Sequence, residues 1–106
     1  MLIDAGAPVT QTDNFGRTPL HFAAGLDNED VVVCLLAHGA GANVVDEING
    51  WTALHWAADK GYAGMAQILV EGGIDVDIED QFGQTALKIA AEDGHHELMK
   101  HLGGHQ

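Results

Sequence analysis

Gly50-Trp51-Thr52-Ala53-Leu54-His55-Trp56-Ala57-Ala58 is the stretch from which the fold is read. A near copy stands at Gly16–Ala24 (Gly-Arg-Thr-Pro-Leu-His-Phe-Ala-Ala), and another at Gly83–Ala91 (Gly-Gln-Thr-Ala-Leu-Lys-Ile-Ala-Ala). Their glycines lie 34 and 33 residues apart, and Thr18, Thr52 and Thr85 keep the same step. Self-similarity at such a period marks a stacked array of small supersecondary units, each unable to bury its apolar face alone. The fold expected is an all-α repeat solenoid made of helix-turn-helix pairs.

Working outward, each unit has a turn-forming tip, two short helices and a terminal glycine. In residues 13–45, Asp13-Asn14-Phe15-Gly16 is a hairpin tip with Gly16 able to supply φ > 0. Thr18 caps a helix whose first turn holds Pro19. Leu20, Ala23 and Ala24 recur at helical spacing, and Asp27-Asn28 breaks the run. Val31, Val32, Cys34, Leu35 and Leu36 form a second helix, ended by Gly39 as a left-handed cap. Residues 46–79 repeat this with a tip one residue longer, Asp46 to Gly50, which a loop tip tolerates. Residues 80–102 form a wetter, cap-like last unit, with His95, His96 and Lys100. Residues 1–12 match the end of a preceding unit, and 103–106 read as a frayed tail. A stack lacking that unit's first helix exposes an apolar end, so self-association there is expected.

The net charge of −12 comes from 16 acids against Arg17, Lys60, Lys88 and Lys100. Such a surface repels phosphate backbones and favours basic protein partners, so no nucleic acid is expected. No apolar run is long enough to span a bilayer, and the N-terminus has no signal-peptide pattern, so an intracellular setting without a membrane is expected. Cys34 is the single cysteine; it lies on an apolar helix face and reads as inert core with no His neighbour. There is no serine nucleophile and no glycine-rich phosphate loop. Around Gly94-His95-His96-Glu97-Leu98-Met99-Lys100-His101 a zinc helix would need a second His at position 100, where Lys100 stands. Asp75–Asp80 begins like a calcium loop but has Asp80 where the sharp turn requires Gly. Neither an enzyme nor a cofactor or metal is expected.

The pattern Asp-x-x-Gly-x-Thr-Pro-Leu-His-x-Ala-Ala followed by Leu-Leu-x-x-Gly-Ala-x-x-Asn resembles the ankyrin repeat family over roughly residues 2–102. The departures are Ala53 and Ala86 for Pro, and Lys88 for His. The resemblance implies antiparallel helix pairs with short β-hairpin tips and protein binding on the concave face formed by tips and first helices. It further implies that Thr18, Thr52, Thr85, His21 and His55 hold backbone bonds between neighbouring units. Asn43 falls where the family's asparagine stabilises the turn and is in some members hydroxylated.

On that geometry the exposed concave positions of the first unit are Asn14, Phe15, Arg17, Phe22, Gly25 and Leu26. The second supplies Glu47, Ile48, Trp51, Trp56, Asp59 and Lys60, and the third Gln81, Phe82, Gln84, Ile89, Glu92 and Asp93. Five of six aromatics lie there with acids around them, the composition of a hot spot for a basic peptide. The alternative for Phe22 and Trp56 is packing between adjacent first helices, and the functional alternative is a spacer in a longer array. Trp51, Trp56 and Asp59 also resemble part of the methyl-lysine cage in ankyrin arrays of the euchromatic histone-lysine methyltransferases, with Ile89 where a further Trp would stand.

Overall fold

A computed structural model describes residues 12–102. The unit fragment at the N-terminus, the self-association read from it and the tail at 103–106 fall outside these residues, apart from Thr12. Six helices follow one another: α1 (Pro19–Gly25), α2 (Glu29–Ala37), α3 (Ala53–Lys60), α4 (Ala63–Glu71), α5 (Ala86–Glu92) and α6 (His96–His101). The first helices α1, α3 and α5 pack in one row and the second helices α2, α4 and α6 in another, within an envelope of 45 × 25 × 20 Å.

Alanine sets the spacing of the rows. Ala24, Ala57, Ala58, Ala66 and Ala90 have no solvent exposure, so backbones approach where a larger side chain would hold them apart. Leu20, Leu35, Leu54, Met65, Leu69 and Leu98 fill the space between the rows. Burying each of these large side chains is worth about 1.5–3 kcal/mol.

Each first helix starts on its threonine. Thr18 Oγ1 accepts the His21 N–H at 3.3 Å, while His21 Nδ1 accepts the Thr18 N–H at 3.0 Å, closing a reciprocal cap. Thr52 and His55 repeat it. Because Nδ1 accepts, the ring proton sits on Nε2, which donates to the next unit: His21 to the Trp51 carbonyl at 2.8 Å and His55 to the Gln84 carbonyl at 3.0 Å. Within each cap it is therefore the histidine that bonds to the next unit, whereas the threonine bonds only within its own. In the third unit Lys88 cannot accept, and Thr85 keeps half of the cap.

The tips are turns, with no strand among the described residues. One bond closes the base of each, Asp13 to Arg17, Asp46 to Trp51 and Asp80 to Gln84. One backbone bond joins each tip to the next: Glu47 N–H to the Phe15 carbonyl (2.8 Å) and Gln81 N–H to the Asn49 carbonyl (2.9 Å). Phe15 and Asn49 each precede the tip glycine, so the extra residue is absorbed before that bond and the register is kept. Gly16 and Gly39 take the left-handed conformation expected of them, with φ of 74° and 87°. Between α1 and α2, Asp27 has a φ of 55° where the equivalent Gly61 and Gly94 have 74°.

Candidate functional site

The three tip aspartates organise the face that the tips and first helices share. Asp13 accepts the N–H groups of Phe15 and Arg17, both at 2.9 Å, and the Arg17 Nε at 2.8 Å. Asp46 accepts from Asn49, Trp51 and the Trp56 indole, and Asp80 from Phe82, Gln84 and the Trp51 indole. For Asp46 and Asp80, burial pushes the carboxyl upward, but these N–H donors outweigh it and hold both below the ordinary carboxylate range. Donors on Asp13 act in the same way. This role was missed from sequence, although the aspartates recur at 13, 46 and 80, each five or six residues ahead of a capping threonine.

Both tryptophans are half-buried rather than fully presented to solvent. Trp51 Nε1 donates to Asp80 Oδ2 at 2.8 Å in the following tip, and its ring stacks on His55 at 6.2 Å. Trp56 Nε1 donates to Asp46 Oδ2 at 3.1 Å, and its ring meets His21 and Phe22 edge-on at 5.5 and 6.0 Å. A Cβ on Gly25 would lie 2.6 Å from Trp56 Cε3, so the indole seats on α1 because that residue is glycine. Phe22 and Trp56 thus do pack between adjacent first helices, and Trp56 also keeps one side open.

That side lines a cavity of about 240 Å³. Trp51, Trp56 and Ile48 supply its apolar walls; Asn49 and Asp46 lie at the tip side, and Arg17, Asp59 and Lys60 complete the lining. Arg17 is fixed in place: its guanidinium carbon lies 5.0 Å from the Phe15 ring centre and 4.9 Å from that of Phe22. The sequence-read residues Arg17, Ile48, Trp51, Trp56 and Asp59 therefore meet at one place. Lys60 joins them, while Asn49 and Asp46 were not foreseen.

Other members of the expected face lie elsewhere on it. Leu26 is 76% exposed and Phe82 74% exposed, with neither in the cavity; Phe15, Glu47, Glu92 and Asp93 are exposed as well. Glu92 accepts from the Gln84 amide at 2.9 Å. Ile89 is a correction: it is only 6% exposed, because the shorter aliphatic chain sinks into the core where Phe22 and Trp56 reach outward. It supplies no third wall to a cage. Cys34 is a second correction, since it is half-buried and its Sγ lies 3.8 Å from His38 Nδ1 one helical turn on. Asn43 is exposed, and its side-chain oxygen accepts the Asp75 N–H at 2.7 Å, joining successive units rather than bracing its own turn.

Burial depresses the pKa of His21 and His55, against the opposing pull of the carbonyl bonds and nearby aspartates, which favours the neutral donor-acceptor form seen in the caps. Among the described residues no group of three His, Cys, Asp or Glu side chains could hold a metal ion, and no helix is long and apolar enough to cross a membrane.

A stack of three such units, each with a threonine cap and two with a histidine reaching to the next, also matches by sequence. The family model for ankyrin repeats in three copies matches residues 1–80. The chain belongs to the ankyrin repeat family. It is 39% identical over 89 residues to calmodulin-binding transcription activator 4 of Arabidopsis thaliana, covering 78% of this chain and 9% of that protein. It is 30% identical over 101 residues to cyclin-dependent kinase 4 inhibitor B of Rattus norvegicus, covering 95% of this chain and 77% of that protein. Ankyrin repeat protein nuc-2 of Neurospora crassa is 35% identical over 103 residues, 96% of this chain and 10% of its own length. This ankyrin chain thus spans a tenth or less of two of these relatives and most of the third. Ankyrin repeats are in general non-catalytic modules that bind protein partners.

Proposed function

We propose that this ankyrin domain binds a basic segment of a partner protein on the face formed by its tips and by α1, α3 and α5. The observation that carries the reading is the side-chain composition of that face. An exposed apolar residue stands on every tip (Phe15, Ile48 and Phe82), with the exposed acids Glu47, Asp59, Glu92 and Asp93 around them. Apolar anchors give affinity, and a net charge of −12 draws cationic partners and turns away phosphate backbones. The reading includes no catalysis, cofactor, nucleic acid or membrane, and places the domain inside the cell, with its 1–106 span acting as one unit.

Replacing Phe15, Ile48 and Phe82 together by serine tests it. The side chains are exposed, so melting should change little, while capture of partners should fall and the remainder should weaken as salt rises. A spacer in a longer array, the reading favoured by the small share of the longer relatives that is covered, loses no partner in this variant. Hydroxylation of Asn43 is proposed from its exposure; an unchanged intact mass after treatment with an asparaginyl hydroxylase rejects it.

A further inference from the structure

The cavity beside Trp56 has walls whose polar atoms are already occupied. The Trp51 indole N–H is bound to Asp80 and that of Trp56 to Asp46, so both rings present their faces and carbon edges and no free polar atom. The Asp46 carboxylate accepts three N–H groups and has little left for a ligand cation. At 240 Å³ the space is smaller than the roughly 300–1,000 Å³ of small-molecule sites, and suits one side chain. Two of the chain's four bases, Arg17 and Lys60, line it. Lys60 makes no ion pair among the described residues. Arg17 is already paired with Asp13 at 2.8 Å. Of the two lining carboxylates, Asp46 is taken up by its three N–H donors, so a cation entering would meet the unpaired Lys60 and Asp59.

We infer that this cavity is an anchor pocket for a single large apolar side chain of the partner, and that the partner's cationic residues flank the pocket rather than enter it. The inference rests on the interaction-module reading and adds what the pocket selects. Cations on either side of the anchor meet Glu47 at the tip and Asp59, Glu92 and Asp93 on the helix side, all exposed. Lys60, which has no ion pair of its own among the described residues, acts as a gate by charge against an ammonium entering the space that the indoles and Ile48 line.

Calorimetric titration of the full chain tests this with acetylated, amidated peptides Lys-Lys-Gly-X-Gly-Lys-Lys, where X is Phe, Leu, Ala or trimethyllysine. The expected result is that Phe or Leu binds about tenfold or more tighter than Ala, as burial of one large apolar side chain implies, with trimethyllysine no better than Ala. Ile48→Ala should shrink the advantage of Phe severalfold with unchanged melting, and Lys60→Glu should improve trimethyllysine relative to Ala. Trimethyllysine binding tighter than Phe and Leu overturns the inference and leaves the interaction-module reading standing. Equal affinity for all four peptides does the same. Binding by none of them overturns both.

Discussion

The two junctions of the stack share a histidine bond and a tip-to-tip backbone bond and differ in the aromatic side chains placed around them. At the first, His21 reaches the Trp51 carbonyl and Trp56 folds back over His21, Phe22 and Gly25. At the second, His55 reaches the Gln84 carbonyl, Trp51 stacks on His55 and holds Asp80, and Ile89 lies buried in place of an outward aromatic. The middle unit therefore grips both neighbours with its own tryptophans, backward through Trp56 and forward through Trp51. The cavity opens beside the backward junction, where an indole rests on a glycine and leaves its outer side uncovered, and Trp51 lines it from the forward side.

Substitutions at the junctions separate these contributions. Trp56→Ala should have the largest effect, about 3 kcal/mol in urea unfolding, since it empties the first junction and removes a donor from Asp46. A loss much below that would mean Trp56 lies on the surface and the junctions are alike. Next come His21→Ala and His55→Ala, each expected to lower stability by about 2 kcal/mol through loss of the inter-unit bond and half of the cap. Equal losses at the two sites would show that the shared bond, not the aromatic beside it, sets the strength of a junction.

Acid should act on the same two bonds. With the folded pKa of each histidine below its ordinary 6.5, the unfolded chain binds more protons just under that pH. Stability is then complete above about 7 and falls as pH drops through 6.5 toward the folded pKa. The tip aspartates, lowered from 3.8, add a second loss below that value. Chemical denaturation between pH 7.5 and 5 should show the first decline, and a His21→Gln, His55→Gln double variant should flatten it.

Trp51→Phe retains the ring over His55 and removes only the donor to Asp80, an expected loss of about 1 kcal/mol confined to the second junction. The smallest effect is a gain. Asp27→Gly relieves the one left-handed non-glycine residue among those described, and should raise stability by about 0.5 kcal/mol in thermal melts. No change would indicate that Asp27 is unstrained there.

The framework was legible because it repeats. Thr18, Thr52, His21 and His55 sit at a constant step, and a fixed period constrains the same atoms in each unit. The fillers were not, because their partners lie about thirty residues away and occur once. Nothing local says that Trp51 ends on Asp80, or that Gly25 is small so that Trp56 can lie against it. The misreading of Ile89 has the same origin: its column holds Phe22 and Trp56, and shape rather than position decided which of the three turned inward. The cavity residues Arg17, Ile48, Trp51, Trp56 and Asp59 were each picked out as exposed concave positions, but their convergence depended on the direction of two indoles. Asp46 was passed over because an aspartate at a turn looks ordinary until its carboxylate is seen holding three donors.

The lengthened tip has a use beyond this protein. Its extra residue is taken up ahead of Asn49, whose carbonyl still meets Gln81 as Phe15 meets Glu47. Loop length at that point is thus uncoupled from the stacking of the units. A designer seeking to graft a longer recognition loop onto such a scaffold has a marked insertion point between Glu47 and Asn49, beside a ready-made hydrophobic recess.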